Sequence, residues 1–419
     1  MKRIMSGRKF CRLLRYLHVC PLEQPTDVPY DPIFKVKEFM DYLQIRFAKL
    51  FEPGLQLSLD ETLIQTFGRI KFRARIISKA ARYGIKIYVL TDASTAYVLQ
   101  VIIYTGKHTY TETANQTEKK TVQVVKQLCR RFKGSHRTVY VDRFYTSIDL
   151  IKELHLMELY VTGTMMRNRL PSELTIARST KLFKEMNRGD FVSHRYSYAV
   201  EGERQMAGLV CWKDRDIVYC ISNESNTKEK DSCKRRSKDG LLTIERPKMI
   251  TEYNRYMGGV DLADMRRLHC NSTIMGQNRW WLKLFFYLLD VGTSNALVLY
   301  NLTRKEGQQP LTIVNYKTEL IRAFVGTRLQ GIPETVVEHV PQNKDGRFRC
   351  AHCALFSRVR RTKIRCSAPG CDLPLCSIGS GMAGQDCFTI CHGNNNLHKA
   401  VLMKYISMKK KVNIRIKSA

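Results

Sequence analysis

An α/β protein built on a mixed β-sheet is what this sequence predicts, and three observations predict it. From about Gln56, short runs rich in β-branched and aromatic residues alternate with segments whose apolar residues recur at helical spacing. Acidic residues occupy a strand position and a strand end in that pattern, at Asp60 and Asp142. The composition, 44% hydrophobic and 10% aromatic, suffices to bury a full core and excludes wholesale disorder.

The elements follow in order. Residues 1–50 read as two helices, parted by Pro21, Pro25, Pro29 and Pro32. Leu57, Leu59 and Leu63 frame a strand around Asp60. Ile85 to Leu90 and Tyr97 to Tyr104 form a hairpin, with Asp92-Ala93-Ser94-Thr95 as its turn. Thr121 to Phe132 is helical, Thr138 to Val141 is a strand ending at Asp142, Ser147 to Met157 is helical and Tyr160 to Met165 is a strand. This β-β-β-α-β-α-β order matches the ribonuclease H-like fold, whose mixed five-stranded sheet carries acidic residues at strand ends; another α/β sheet remains open on order alone.

Beyond it, residues 168–245 contain short strand-like pieces and read as a β-rich insertion. The polar stretch Asn223 to Asp239, with Lys234-Arg235-Arg236, reads as its flexible loop. Helix returns at Pro247, is interrupted at Gly258-Gly259, resumes around Asp261 and Asp264, and runs long and apolar from Arg279 to Leu302. The predicted domains are a helical part at 1–54, a core at 55–167 and 246–330, the insertion at 168–245, a linker at 331–349, a cysteine-rich domain at 350–398 and a basic tail at 399–419.

Charge and cysteine usage narrow the function. Lys and Arg number 70 against 38 Asp and Glu, a formal net charge of +32, which fits a polyanionic partner, most simply nucleic acid. No signal-peptide pattern and no run of about 20 apolar residues is present, so a soluble intracellular protein with no membrane partner is expected. Seven of the 14 cysteines are scattered before residue 350, and seven crowd into Cys350 to Cys391. Scattered cysteines read as small buried residues, and the crowded ones as metal ligands.

Asp60 is disfavoured by propensity in a strand and so calls for a reason. Asp264 follows Asp261 at a spacing that shares a helix face. By position alone, each of these carboxylates is more commonly a cap, a turn residue or a salt-bridge partner. As a cluster they suit Mg²⁺, which prefers oxygen ligands, and two such ions suit phosphoryl transfer.

The segments carrying these residues resemble one family throughout. LSLDETL and the following FGR and YGIKIYVLTDASTAYVLQVIIYTGK, VYVDRFYTSIDLIKEL, YNRYMGGVDLADMRR and NRWWLKLFFYLLDVGTSNALVLYN are similar to the ordered motifs of piggyBac-type transposases, as is YDPIFKVKEFMDYL before them. The resemblance covers roughly residues 8 to 392. It implies a ribonuclease H-like core with Asp60, Asp142 and Asp261 as a catalytic triad binding two Mg²⁺, assisted by Asp264. It also implies cut-and-paste transposition: water nicks the transposon end, the freed 3′-hydroxyl makes a hairpin, and later attacks double-stranded TTAA target DNA. A homodimer in the nucleus is the implied setting. Arg143 stands where the family has Asn; it either competes with Mg²⁺ or points at phosphate. The family carries an acidic region and a fuller helical domain ahead of this start, so part of the excess charge is expected to come from truncation. A domesticated, catalytically weak DNA-binding protein is the alternative.

Arg69, Lys71, Arg73, Arg75, Lys79 and Arg82 crowd the segment after Asp60 and, with Arg143, are expected to line a DNA path. In the cysteine-rich region, Cys350-x2-Cys353, Cys366-x4-Cys371, Cys376, Cys387 and nearby histidines approach eight ligands, enough for two zinc ions in a cross-brace; one zinc with spare cysteines is the other option. The resemblance implies Cys350, Cys353, Cys366, Cys371, Cys376, Cys387 and His392 as ligands, with Cys391 or His398 as the eighth. Residues 350–419 hold 12 Lys and Arg against two Asp, which suits phosphate contact. His108, His136 and His155 show no metal spacing. Of Trp280 and Trp281, at least one is expected in the core and the other is free to stack on a base.

Overall fold

The computed structural model describes residues 5–325, apart from 22, 25, 28, 67, 69, 78–81, 107–108, 110–117, 175–179, 238–239, 273–278 and 306. Beyond these it describes 341–355, 361–366, 371, 373–375, 387, 391 and 401. The chain divides into two compact units, Met1–Phe324 and Val325–Ala419.

The first unit opens with helices α1 (Gly7–Tyr16) and α2 (Phe34–Leu50). Strands β1 (Gln56–Gln65), β2 (Ala74–Arg75), β3 (Tyr83–Asp92) and β4 (Val98–Ile103) follow. Helix α3 (Lys120–Cys129), β5 (Thr138–Val141), α4 (Ile148–His155) and β6 (Tyr160–Thr164) complete the predicted order. β1 runs antiparallel to β3 and parallel to β5; β3 is antiparallel to β4, and β5 parallel to β6. The five strands therefore form the mixed sheet that the sequence led one to expect. Short α/β connections and right-handed twist make this directionality natural: β5 and β6 return through α3 and α4, whereas β3 and β4 are joined by a tight turn. Asp92 builds that turn, accepting from Thr95 N and Oγ1 at 2.8 and 2.7 Å.

Two expectations are corrected. The region 168–245 does not stand apart from the core. After helix α5 (Thr180–Glu185), strands β7 (Phe191–Val200), β8 (Glu203–Lys213) and β9 (Ile217–Ser222) continue the same sheet, β9 pairing antiparallel with β6. Joining it covers the otherwise free edge of β6. The stretch expected as a flexible basic loop contains strand β10 (Lys230–Ser237), paired with β11 (Gly240–Pro247). The first strand of this hairpin is rich in charge, with Lys230, Asp231, Lys234 and Arg236 exposed, which is why it reads as loop. It packs by the indole of Trp212, which donates to Glu245 O at 2.8 Å.

Helices α6 (Lys248–Tyr256), α7 (Gly259–His269), α8 (Trp280–Leu302) and α9 (Ile313–Val325) follow. α8 is long and apolar enough by composition to cross a membrane, yet 56% of its apolar window is buried inside the fold. Trp281 lies in the core, and Trp280 meets Phe72 edge-on at 5.3 Å. Asn295 of α8 grips β4, accepting from Val98 N at 2.9 Å and donating to Val98 O at 2.8 Å, while Gln44 of α2 accepts from Val101 N at 2.9 Å. These amides satisfy backbone groups on the side of β4 that no strand pairs.

In the second unit, strand β12 (Pro341–Arg349) pairs with β13 (Arg361–Cys366), with helix α10 (Ala351–Leu355) between them. The residues expected to end a linker at 349 are thus part of a hairpin. Among the described residues its small core consists of cysteines together with Ala351, Leu373, Leu375 and Val401.

Candidate active site and metal centre

Register builds the acidic site. Leu59 of β1 pairs with Val141 of β5, and Val141 with Gly163 of β6. One residue further along lie Asp60, Asp142 and Thr164, a row across three neighbouring parallel strands, whose spacing is about 4.8 Å. Asp60 shares its face of β1 with Ser58. On that face α7 comes down onto the sheet. Gly259 makes the approach possible: a Cβ there would lie 2.5 Å from Thr91 Oγ1 and 2.9 Å from Ser58 Cβ. Ser58 Oγ donates to Met257 O at 2.7 Å, fixing the turn before α7. Asp261 then falls in the first turn of α7, exposed, where the helix dipole favours a carboxylate.

The loop after β5 is organised around Asp142. Its carboxylate accepts from Phe144 N at 2.6 Å, and its carbonyl accepts from Thr146 Oγ1 at 2.8 Å. Arg169 reaches in from beyond β6 and donates to the carbonyls of Arg143, Phe144 and Thr146 at 3.1, 2.7 and 3.2 Å. Ser147 caps α4 by accepting from Leu150 N at 3.1 Å. Burial pushes the Asp142 carboxyl above its ordinary acidity range, and the nearby Glu61 pushes the same way; the Phe144 N–H and Arg143 pull it back. Tyr253 of α6 pairs its hydroxyl with Thr164 Oγ1 at 3.2 Å, and burial, with smaller contributions from Asp142 and Asp60, pushes that hydroxyl up.

The structure does not bring all predicted carboxylates together. The oxygens of Asp60, Asp142 and Asp261 do not all come within 4.8 Å of one another. Asp264 is taken by Arg267, whose Nη2 lies 3.0 Å away and whose guanidinium sits over the Tyr287 ring. Of the basic residues, Lys71, Arg73, Arg75 and Arg82 are exposed, with Arg73 and Arg75 against the Tyr83 ring at 5.3 and 5.7 Å. Arg143 is exposed and, among the described residues, has no carboxylate within 4.0 Å. Arg69 and Lys79 lie outside the described residues.

In the second unit, Cys350, Cys353 and Cys387 have their sulfurs within 4.8 Å of one another and are fully buried. Cys353 and Cys387 are 3.7 Å apart. Cys366, Cys371 and Cys391 are buried in the same cluster. Burial and the surrounding thiols push Cys391 up to about 12. Such packing of thiols suits a divalent ion such as zinc. Cys376, His392 and His398 lie outside the described residues.

A family model described as "Transposase IS4" matches residues 1–297. The chain belongs to the piggyBac-type transposase family. This piggyBac-type chain is 24% identical over 400 residues to human PiggyBac transposable element-derived protein 3, covering 89% of itself and 63% of that relative. It is 20% identical over 331 residues to human PiggyBac transposable element-derived protein 5, covering 77% of itself and 60% of the relative. It thus spans about three fifths of their length. Its fold is similar to that of a piggyBac transposase in a synaptic complex with hairpin DNA, with TM-score 0.63, 22% identity and coverage of 82% and 70% of the two chains.

Several residues around the acidic row and the cysteine cluster carried little or no signal in the sequence. Glu61 points away from Asp60, accepts from Tyr145 Oη at 2.6 Å and has Lys86 Nζ 3.9 Å away. Its position beside Asp60 was the available signal. Arg169 and Tyr253 gave none, because both act through long-range contacts. His352, inside the Cys350-x2-Cys353 loop, is buried with Nδ1 3.3 Å from Cys387 Sγ.

Proposed function

We propose that this chain is a metal-dependent DNA strand transferase of the DDD type on a ribonuclease H-like core. The observation that carries the reading is the row of Asp60 and Asp142 on adjacent parallel strands, with α7 and Asp261 seated over it by Gly259. Asp60, Asp142 and Asp261 would hold two Mg²⁺. The burial and like charge that push the Asp142 carboxyl up are what a divalent cation relieves. When bound, Mg²⁺ supplies Lewis-acid stabilisation of the attacking and leaving oxygens in an in-line displacement. Arg169 fixes the loop that aims Asp142, and Tyr253 offers a hydroxyl beside the acids. The exposed cations Lys71, Arg73, Arg75, Arg82 and Arg143, with Arg69 and Lys79, would track phosphates.

The substrates are double-stranded transposon ends, opened through a hairpin and joined to TTAA target DNA. The setting is a homodimer in the nucleus, without a membrane. The cysteine cluster would hold zinc as the scaffold of an end-binding module, not as a reactive centre. Two ions are proposed, held by Cys350, Cys353, Cys366, Cys371, Cys376, Cys387 and His392. Burial of Cys391 within the cluster favours it over His398 as eighth ligand.

A second reading has its own support. Asp264 is neutralised by Arg267, and the relatives are named as element-derived proteins. A domesticated DNA-binding protein would bind end DNA without processing it. An integration assay separates the two. Supplying the chain with end DNA, Mg²⁺ and a target plasmid should give junctions at TTAA. Specific binding without junctions favours the domesticated protein, and junctions at other sequences remove the TTAA assignment.

A further inference from the structure

Helix α7 carries Asp261, yet little apolar surface holds it down. Val260 and Ala263 are its buried apolar side chains, while Leu262, Met265 and Leu268 are exposed. Its front end is seated by Gly259 and by the Ser58 bond to Met257 O. Its far end is held by charge. Asp290 is the one acidic residue of α8, and it is 1% exposed. Its two oxygens accept from Ser272 N and Ser272 Oγ, both at 2.8 Å, just beyond the α7 C-cap Cys270. Lys317 Nζ of α9 lies 2.6 Å from Asp290 Oδ1 and donates also to Cys270 O at 2.6 Å. α9 is itself fixed on α8: the Asn301 amide exchanges two hydrogen bonds with Leu311, at 3.0 and 2.9 Å, and Ile313 is buried.

A buried ion pair is a poor way to gain stability. Both charges lose their water, and apolar side chains of similar size hold two helices together as well or better. What the pair adds is direction. Lys317 places an ammonium at the negative end of the α7 dipole, on a carbonyl that the helix leaves without a partner. Asp290 and Ser272 fix the chain as it leaves. A helix resting on two small apolar side chains can slide; bonds of set length and angle prevent it. We propose that Asp290 and Lys317 are positioning residues, which pin the far end of α7 and so set where Asp261 stands over the Asp60–Asp142 row. The part they play in the reaction rests on the strand-transferase reading; the hold on α7 does not.

The test uses the full chain with both charges removed, Asp290→Leu with Lys317→Met, because removing one alone leaves the other buried and unpaired. Melting should stay within about 3 °C of wild type. Amide exchange followed by mass spectrometry should show α7 exchanging about tenfold faster or more, with β1 and β5 unchanged. Opening of a labelled transposon-end hairpin should slow about 10²-fold, as a shift of about 1 Å in a reacting group allows. The Mg²⁺ concentration for half-maximal opening should rise about tenfold. Should the double variant not fold, Ser272→Ala keeps the ion pair, removes one bond and should speed α7 exchange about fivefold. Unchanged α7 exchange overturns the proposal whatever the activity. Faster α7 exchange with wild-type opening and Mg²⁺ dependence overturns the positioning role. Exchange that rises equally in α7, β1 and β5 overturns it too, because the pair then supports the fold in general. A wild type that opens no hairpin removes the transferase reading alone; faster α7 exchange then still supports the hold on α7, and unchanged exchange still overturns it.

Discussion

At the scale of single residues, the site is a balance of carboxylates that the fold keeps apart from their preferred solvation. Asp142 is the clearest case. Its carboxyl is raised above the ordinary range, first by burial and then by Glu61. For a carboxyl raised in the folded state, the stability contribution is full below the unfolded acidity range. It is lost as pH rises through the folded value. Asp142→Asn escapes that loss. In metal-free buffer the variant should melt about 1–3 °C above wild type at pH 7, and the gap should close as pH falls towards 4. Added Mg²⁺ should stabilise wild type only. Thermal melts across pH check this, and a less stable variant at pH 7 would show that the charge is already compensated. The aspartates were legible because each stood where a strand or turn made a charge conspicuous. Glu61, Arg169 and His352 were not, because nothing local marks a side chain whose partner lies 25 to 84 residues away.

At the scale of elements, pattern and turn chemistry read well where they were local. The proline break, the Asp92 turn, the helix from about Ser147 and the strand around Asp60 all appear where the spacing put them. What failed was pairing. Nothing in Phe191 to Tyr198 says whether it closes a separate subdomain or extends the central sheet, since strand partners are chosen by whichever edge is free. Likewise, a charged stretch such as Lys234-Arg235-Arg236 reads as loop unless its hairpin partner is known. The element on which the site depends most is α7, seated by a glycine. Gly259→Ala should cost about 1–3 kcal/mol through overpacking against Thr91 and Ser58. Thr91→Ser keeps the clashing hydroxyl and should not rescue it, whereas Thr91→Ala should recover part of the loss in a double-mutant cycle read by denaturant melts. A neutral Gly259→Ala would mean that α7 stands further from the sheet.

At the scale of the whole molecule, two units carry the charge and the chemistry between them. The first is a mixed sheet extended from five strands to nine, with acids on one row and exposed cations around it. The second has, among the described residues, a small core made mostly of thiols. Chelation should therefore separate the two. A zinc chelator should remove a low-temperature transition belonging to the second unit and leave the main transition of the first within about 2 °C. Loss of both transitions together would show that the units fold as one. The excess charge, read at first only as a call for a polyanion, is now tied to exposed cations around β2, just before β3 and around Asp142.

The central claim is that Asp60, Asp142 and Asp261 process DNA with Mg²⁺. Opening of a labelled transposon-end hairpin by purified full chain, followed on a denaturing gel, tests it most directly. Wild type with Mg²⁺ should open the hairpin, and Asp142→Ala should lower the rate by about 10³-fold or more while still binding the DNA. Equal opening by wild type and Asp142→Ala would contradict the account.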